Sequence, residues 1–133
     1  MSKKVEKLST EAASTVDRIS KMLLLIKVPS DQILQIKEEL KAETSAATPN
    51  MQKVNALKAD GLAKATKIGQ CVKGAMEGLV TLAKTCDELD KLLTKKKKDK
   101  GILKAIYEQK DKLLQATSIW AIYTQEVEKA FKQ

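Results

Sequence analysis

From Ala65 onward, apolar or small residues recur every third or fourth position without a slip. They are Ala65, Ile68, Val72, Ala75, Leu79, Leu82, Cys86, Leu89 and Leu93. A helix turns once in about 3.6 residues, so this spacing keeps one stripe on one face, and partner helices must cover it. The register returns near the C-terminus, where Ile106, Leu113, Trp120 and Val127 stand seven apart. A repeat of this length implies left-handed supercoiling at shallow crossing angles. Alternating apolar and polar runs, the mark of a half-buried strand, are absent from the sequence. The expected fold class is all-α: an elongated, antiparallel, left-handed bundle of three to four helices.

The punctuation divides the chain. Val5, Leu8, Ala12, Thr15, Ile19, Met22 and Ile26 form the stripe of a first helix, about 5–27. Pro29 breaks it, because proline lacks a donor and disfavours helix in the residue before it. Ser30 is the expected N-cap of a second helix, about 31–43, with Ile33, Ile36 and Leu40 inward. A loop runs from Ser45 to Pro49. Thr48 is expected to cap, and Pro49 to open, a third helix over about 50–94. The last helix, about 102–132, carries Leu103, Ile106, Lys110, Leu113, Thr117, Trp120, Thr124, Val127 and Phe131 inward. Residues 1–133 read as a single helical-bundle domain.

Length selects the topology. At about 1.5 Å per residue, 5–44 makes about 60 Å of helix and 50–94 about 68 Å. The two match only if the first rod is broken at Pro29 by a kink. The alternative is a compact four-helix bundle with a tight reversal at Val28–Pro29.

Composition removes function classes. The chain has no histidine among its 133 residues. That excludes Ser-His-Asp and Cys-His nucleophilic systems, mixed His/Cys zinc sites and H-E-x-x-H. Neither G-x-G-x-x-G nor a Walker-type phosphate loop occurs in the sequence. The chain is therefore expected not to be an enzyme, with no cofactor, no metal and no evident small-molecule substrate. Only Tyr107, Trp120, Tyr123 and Phe131 are aromatic, too few for stacking on single-stranded nucleic acid. Cys71 and Cys86 fall on one predicted helix, about 22 Å apart, beyond disulfide reach. The expectation is two reduced, half-buried thiols, with an intermolecular disulfide through Cys71 as the alternative. The first apolar run, Met22 to Ile26, is too short and too late for a secretory signal. The expected compartment is the cytoplasm, with signal-less export through a specialised machine left open.

Three features are candidates for function. Two belts, Met22 to Ile26 with Val28 and Ile119 to Tyr123, are apolar around most of the helix. Two-rod packing needs only a stripe, so Leu24, Leu25, Ile119, Ile122 and Tyr123 are candidate interface residues. Lys95, Lys96, Lys97, Lys98, Lys100 and Lys104, offset by Asp99, supply +5 of the formal net charge of +8. They form a candidate anion or membrane contact. The only arginine is Arg18, so sequence-specific nucleic-acid readout is disfavoured. Four of the five glycines, Gly61, Gly69, Gly74 and Gly78, crowd one helix. Gly61 falls on the core stripe. Gly69, Gly74 and Gly78 are a candidate hinge, with Gly74 expected on the face where packing has no need of it.

The leading expectation is a non-catalytic module for protein–protein interaction or self-assembly, its partner a protein or a second copy of itself. The runner-up is a peripheral membrane binder using the lysine tip. Non-specific nucleic-acid binding comes third.

Overall fold

The computed structural model describes residues 3–93 and 100–132. Four helical segments follow one another: α1 (Lys3–Leu24), α2 (Lys27–Thr44), α3 (Met51–Leu93) and α4 (Lys100–Lys132). No strand occurs among the described residues. The chain is an all-α bundle of three rods, the first of them bent.

The bend is the kink that matched lengths require. α1 and α2 follow each other along α3 and are separated by Leu25 and Ile26 alone. The bend precedes Pro29 because residue 29 should donate its N–H to the Leu25 carbonyl, and proline has none. Leu25 N–H still reaches the Lys21 carbonyl at 3.2 Å. Ile26 N–H then tightens onto Leu23, one residue short of α-helical spacing, and Ser30 N–H to Ile26 restores the ladder at 3.0 Å. Ser30 is thus an interior residue of α2, not its N-cap. The residue before α2 is Ile26, with helical φ −71° and ψ −27° and no side-chain cap. Pro29 sits in the first turn of α2, where a missing donor costs least.

The two halves of the bent rod cover the two halves of α3. Val5, Leu8, Ala12 and Ile19 of α1 pack with the stretch of α3 from Ala75 to Leu93, and with Leu103 and Ile106 of α4. Ile26, Ile33 and Ile36 pack with Ala65, Ile68 and Val72 of α3, and with Val127 and Phe131 of α4. Leu23 touches both clusters. α4 runs antiparallel to α3, with Phe131 against Gly61 and Thr124 against Gly69.

Polar residues on the core stripes are accommodated locally. Thr15, Thr85, Thr117 and Thr124 are buried. Each hydroxyl donates to the carbonyl four residues earlier, at 2.9, 3.1, 2.6 and 2.8 Å respectively. Lys110, also on the stripe, is half-buried and places its ammonium 5.5 Å from the centre of the Tyr107 ring.

Three glycines receive neighbouring side chains. A Cβ on Gly61 would lie 2.6 Å from the Phe131 ring, and one on Gly78 would lie 2.6 Å from Cγ1 of Ile19. One on Gly74 would lie 2.8 Å from Sδ of Met22, so Gly74 faces the bent rod, although the contact is with the flexible end of that side chain. Its stripe faces the bent rod because α1 approaches α3 from that side. Gly69 differs: its Cβ would meet only Cγ2 of Thr124, at an ordinary 3.6 Å.

The turn between α2 and α3 is tied at three points. Asn50, rather than Thr48, caps α3: its Oδ1 accepts from the N–H groups of Gln52 at 3.1 Å and Lys53 at 3.3 Å. Pro49 consequently lies before the cap. Asn50 donates its own N–H to Oε1 of Glu43 at 3.0 Å, and Lys53 pairs with Oε2 at 3.4 Å. The Asn50 N–H, reinforced by Lys53, holds the Glu43 carboxyl below the usual carboxylate range.

These contacts make three substitutions informative. Gly69→Ala should stabilise the fold by up to about 1 kcal/mol, since the helix gains and nothing clashes. Gly78→Ala should destabilise it by about 1–3 kcal/mol, because Ile19 must move; paired thermal melts check both. Glu43 is bound better ionised than neutral, so its contribution is present above its unfolded pKa of about 4.3 and is lost as pH falls through the lowered folded value. Glu43→Gln should therefore melt earlier than the parent at neutral pH, and the gap should close on acidification.

Candidate interaction site

The bundle's stripes leave two groups of expected interface residues uncovered. On α4, Ile119 is 66% and Ile122 59% exposed. They sit three residues apart, on neighbouring positions of one helical face. Trp120 and Tyr123, interleaved with them, turn inward instead and join the cluster that includes Ile33 and Ile36 of α2. Their rings meet edge to face, with centroids 5.3 Å apart. The Lys37 ammonium of α2 lies 5.8 Å from the Tyr123 ring centre. Burial, with the charge of Asp31, pushes the Tyr123 phenol up. Tyr123 is therefore a seam residue between α2 and α4, and the outward patch is Ile119 with Ile122.

The other group surrounds the bend. Leu24 is 73%, Leu25 65% and Val28 64% exposed. With Met22 and Pro29 they wall one side of a trough of about 550 Å³. Lys67, Gln70 and Cys71 of α3 form the opposite wall. The belt at 22–28 signals surplus apolar surface in the sequence, but not a concavity. The trough lies at the bend, between the exposed belt and the half-buried Cys71 of α3. A smaller hollow of about 240 Å³ involves α2 and α3, and its lining is polar, with Gln32, Gln35, Glu39, Asp60 and Lys64. The Lys64 ammonium there is paired with Asp60 at 3.5 Å.

The lysine cluster is only partly visible. Lys95, Lys96, Lys97 and Lys98 lie outside the described residues. Lys100 opens α4, and Lys104 is exposed in its second turn. Gly69, Gly74 and Gly78 lie within the unbroken span of α3.

Both cysteines are free, on one helix as expected. They differ in environment: Cys71 is half-buried, whereas Cys86 is fully buried in the α1–α3–α4 cluster. Burial pushes the Cys86 thiol up. Among the described residues, no group of three or more His, Cys, Asp or Glu side chains is placed to hold a metal ion. No helix among them is long and apolar enough to cross a membrane. Comparison with protein-family models, with characterised proteins and with solved structures finds no match for this chain.

The two thiols should be kinetically distinct. A neutral alkylating reagent should modify Cys71 in the native protein and Cys86 only after denaturation. Peptide mass mapping before and after adding guanidinium checks this.

Proposed function

We propose that this chain is a non-catalytic interaction module, acting in the cytoplasm, that docks a partner helix on the outer face of α4. The observation that carries the reading is the exposure of Ile119 and Ile122 on a helix whose inward stripe is already covered. Neither residue contributes to either buried cluster, so nothing in the bundle's own stability accounts for two large apolar side chains there. Their i,i+3 spacing suits an apolar helix laid alongside α4 as a further rod. The formal net charge of +8 opposes close approach of a second copy and favours an acidic partner.

The test is a photo-crosslinking side chain at position 119, compared with one at the exposed Glu108 on the same helix. A partner captured at 119 and not at 108 is then purified and titrated against the protein. The double variant Ile119→Lys/Ile122→Lys should weaken that binding by at least about tenfold. Its own stability should change by less than about 0.5 kcal/mol per site, because both side chains are exposed. Equal crosslinking at 108 and 119 would sink the reading. Co-sedimentation with anionic vesicles that the double variant leaves unchanged, and that added salt abolishes, would transfer the function to the lysine tip.

A further inference from the structure

The trough at the bend is separate from the α4 face, and its size and charge single out a different occupant. Its lining is eight residues, against the roughly 20–30 per side that a stable protein interface engages. Its volume of about 550 Å³ falls inside the range of small-molecule sites, roughly 300–1,000 Å³. One wall is purely apolar: Met22, Leu24, Leu25, Val28 and Pro29. The opposite wall carries one charged side chain, Lys67, which forms no ion pair among the described residues. Lys64, one turn earlier on α3, is already paired with Asp60, and Lys73 does not line the trough. A second copy docked here would bring together two surfaces of the same sign, each carrying a Lys67 that forms no ion pair among the described residues. An apolar wall facing a lone cation instead complements a molecule with an alkyl chain and one negative charge.

We propose that this trough binds a single-chain alkyl carboxylate, with its chain along Leu25, Val28 and Pro29 and its carboxylate on the Lys67 ammonium. The site lies at the bend, with Leu24, Leu25, Val28 and Pro29 on one side of it. The head group gains a charge-assisted contact that is screened by salt, and the chain gains burial that is not. Binding therefore requires both walls and discriminates the sign of the head group.

Cys71 lies in the α3 wall and reports occupancy. The experiment follows alkylation of Cys71 by iodoacetamide, a neutral reagent, in the full-length protein by mass spectrometry. Dodecanoate, kept below its micelle concentration, should slow modification saturably by about fivefold at four times its dissociation constant. Dodecyltrimethylammonium at the same concentration should not. Lys67→Glu should raise the half-protecting dodecanoate concentration by about tenfold, and the exposed-site control Lys129→Glu should leave it unchanged. Lys67→Gln, which removes charge without reversing it, should fall between. Circular dichroism on each variant shows whether the helices are intact. Absence of protection, equal protection by the cationic amphiphile, or indifference to both Lys67 variants would each overturn the proposal. Protection of Cys71 that grows with protein concentration in the absence of dodecanoate would overturn it too, by showing a second copy in the trough.

Discussion

One missing hydrogen-bond donor sets the shape of the molecule. Without an N–H on Pro29, the ladder of the first rod tightens by one residue at Ile26 and then resumes. The chain therefore changes direction without stopping. α1 and α2 can both lie against the 43-residue α3, and one long helix is sheathed by a bent one and by α4. The two buried clusters meet at Leu23 beside that deflection, and the open trough next to Cys71 lies there too.

α3 is the spine, and its composition suits that position. A helix with neighbours on two sides needs more than one stripe of small or apolar residues. Gly74 and Gly78 admit Met22 and Ile19 from the bent rod, while Gly61 admits Phe131 from α4. The helix gives up about 1 kcal/mol of intrinsic propensity at each such glycine, and closer packing offsets it. The buried threonines work differently. Their hydroxyls are satisfied within their own helices, so they ask nothing of a neighbour and leave the register to the apolar residues.

Much of this was legible in the sequence because it rests on periodicity. The heptads from Ala65 and from Leu103 predict the long helices, and matching the span 5–44 to 50–94 predicts a kink at the proline. What was not legible depends on where one helix meets another. Ser30 looks like a cap by residue type, but the helix does not restart there, so there is no free N-terminus to cap. Thr48 and Asn50 are both good caps, and Asn50 prevails because its N–H can also reach Glu43 across the turn. Gly74 looks solvent-facing on a helical wheel drawn for one partner, but α3 has two, and Met22 lies over it. Tyr123 reads as outward on its own helix and turns inward once α2 is beside it. Exposure of Ile119, Ile122, Leu24 and Leu25 could be read from the surplus apolar belts, whereas the concavity beside the last two could not. A volume enclosed by two elements has no signature in either one alone.

The unequal anchoring of the bent rod gives the bundle a polarity of cooperativity. α1 buries five residues and α2 only three, one of them the proline itself. The covalent hairpin to α3, clamped by Glu43 and Asn50, holds the far end of α2, while its near end begins at the deflection. Transient opening should therefore begin as a bowing of α2 between two fixed points rather than as fraying from a free tip. Such a bow uncovers Ile68, Val72 and Val127 while the cluster around α1 stays closed. On this anchoring α1 should be the stiffer half of the bent rod and the middle of α2 the more compliant one.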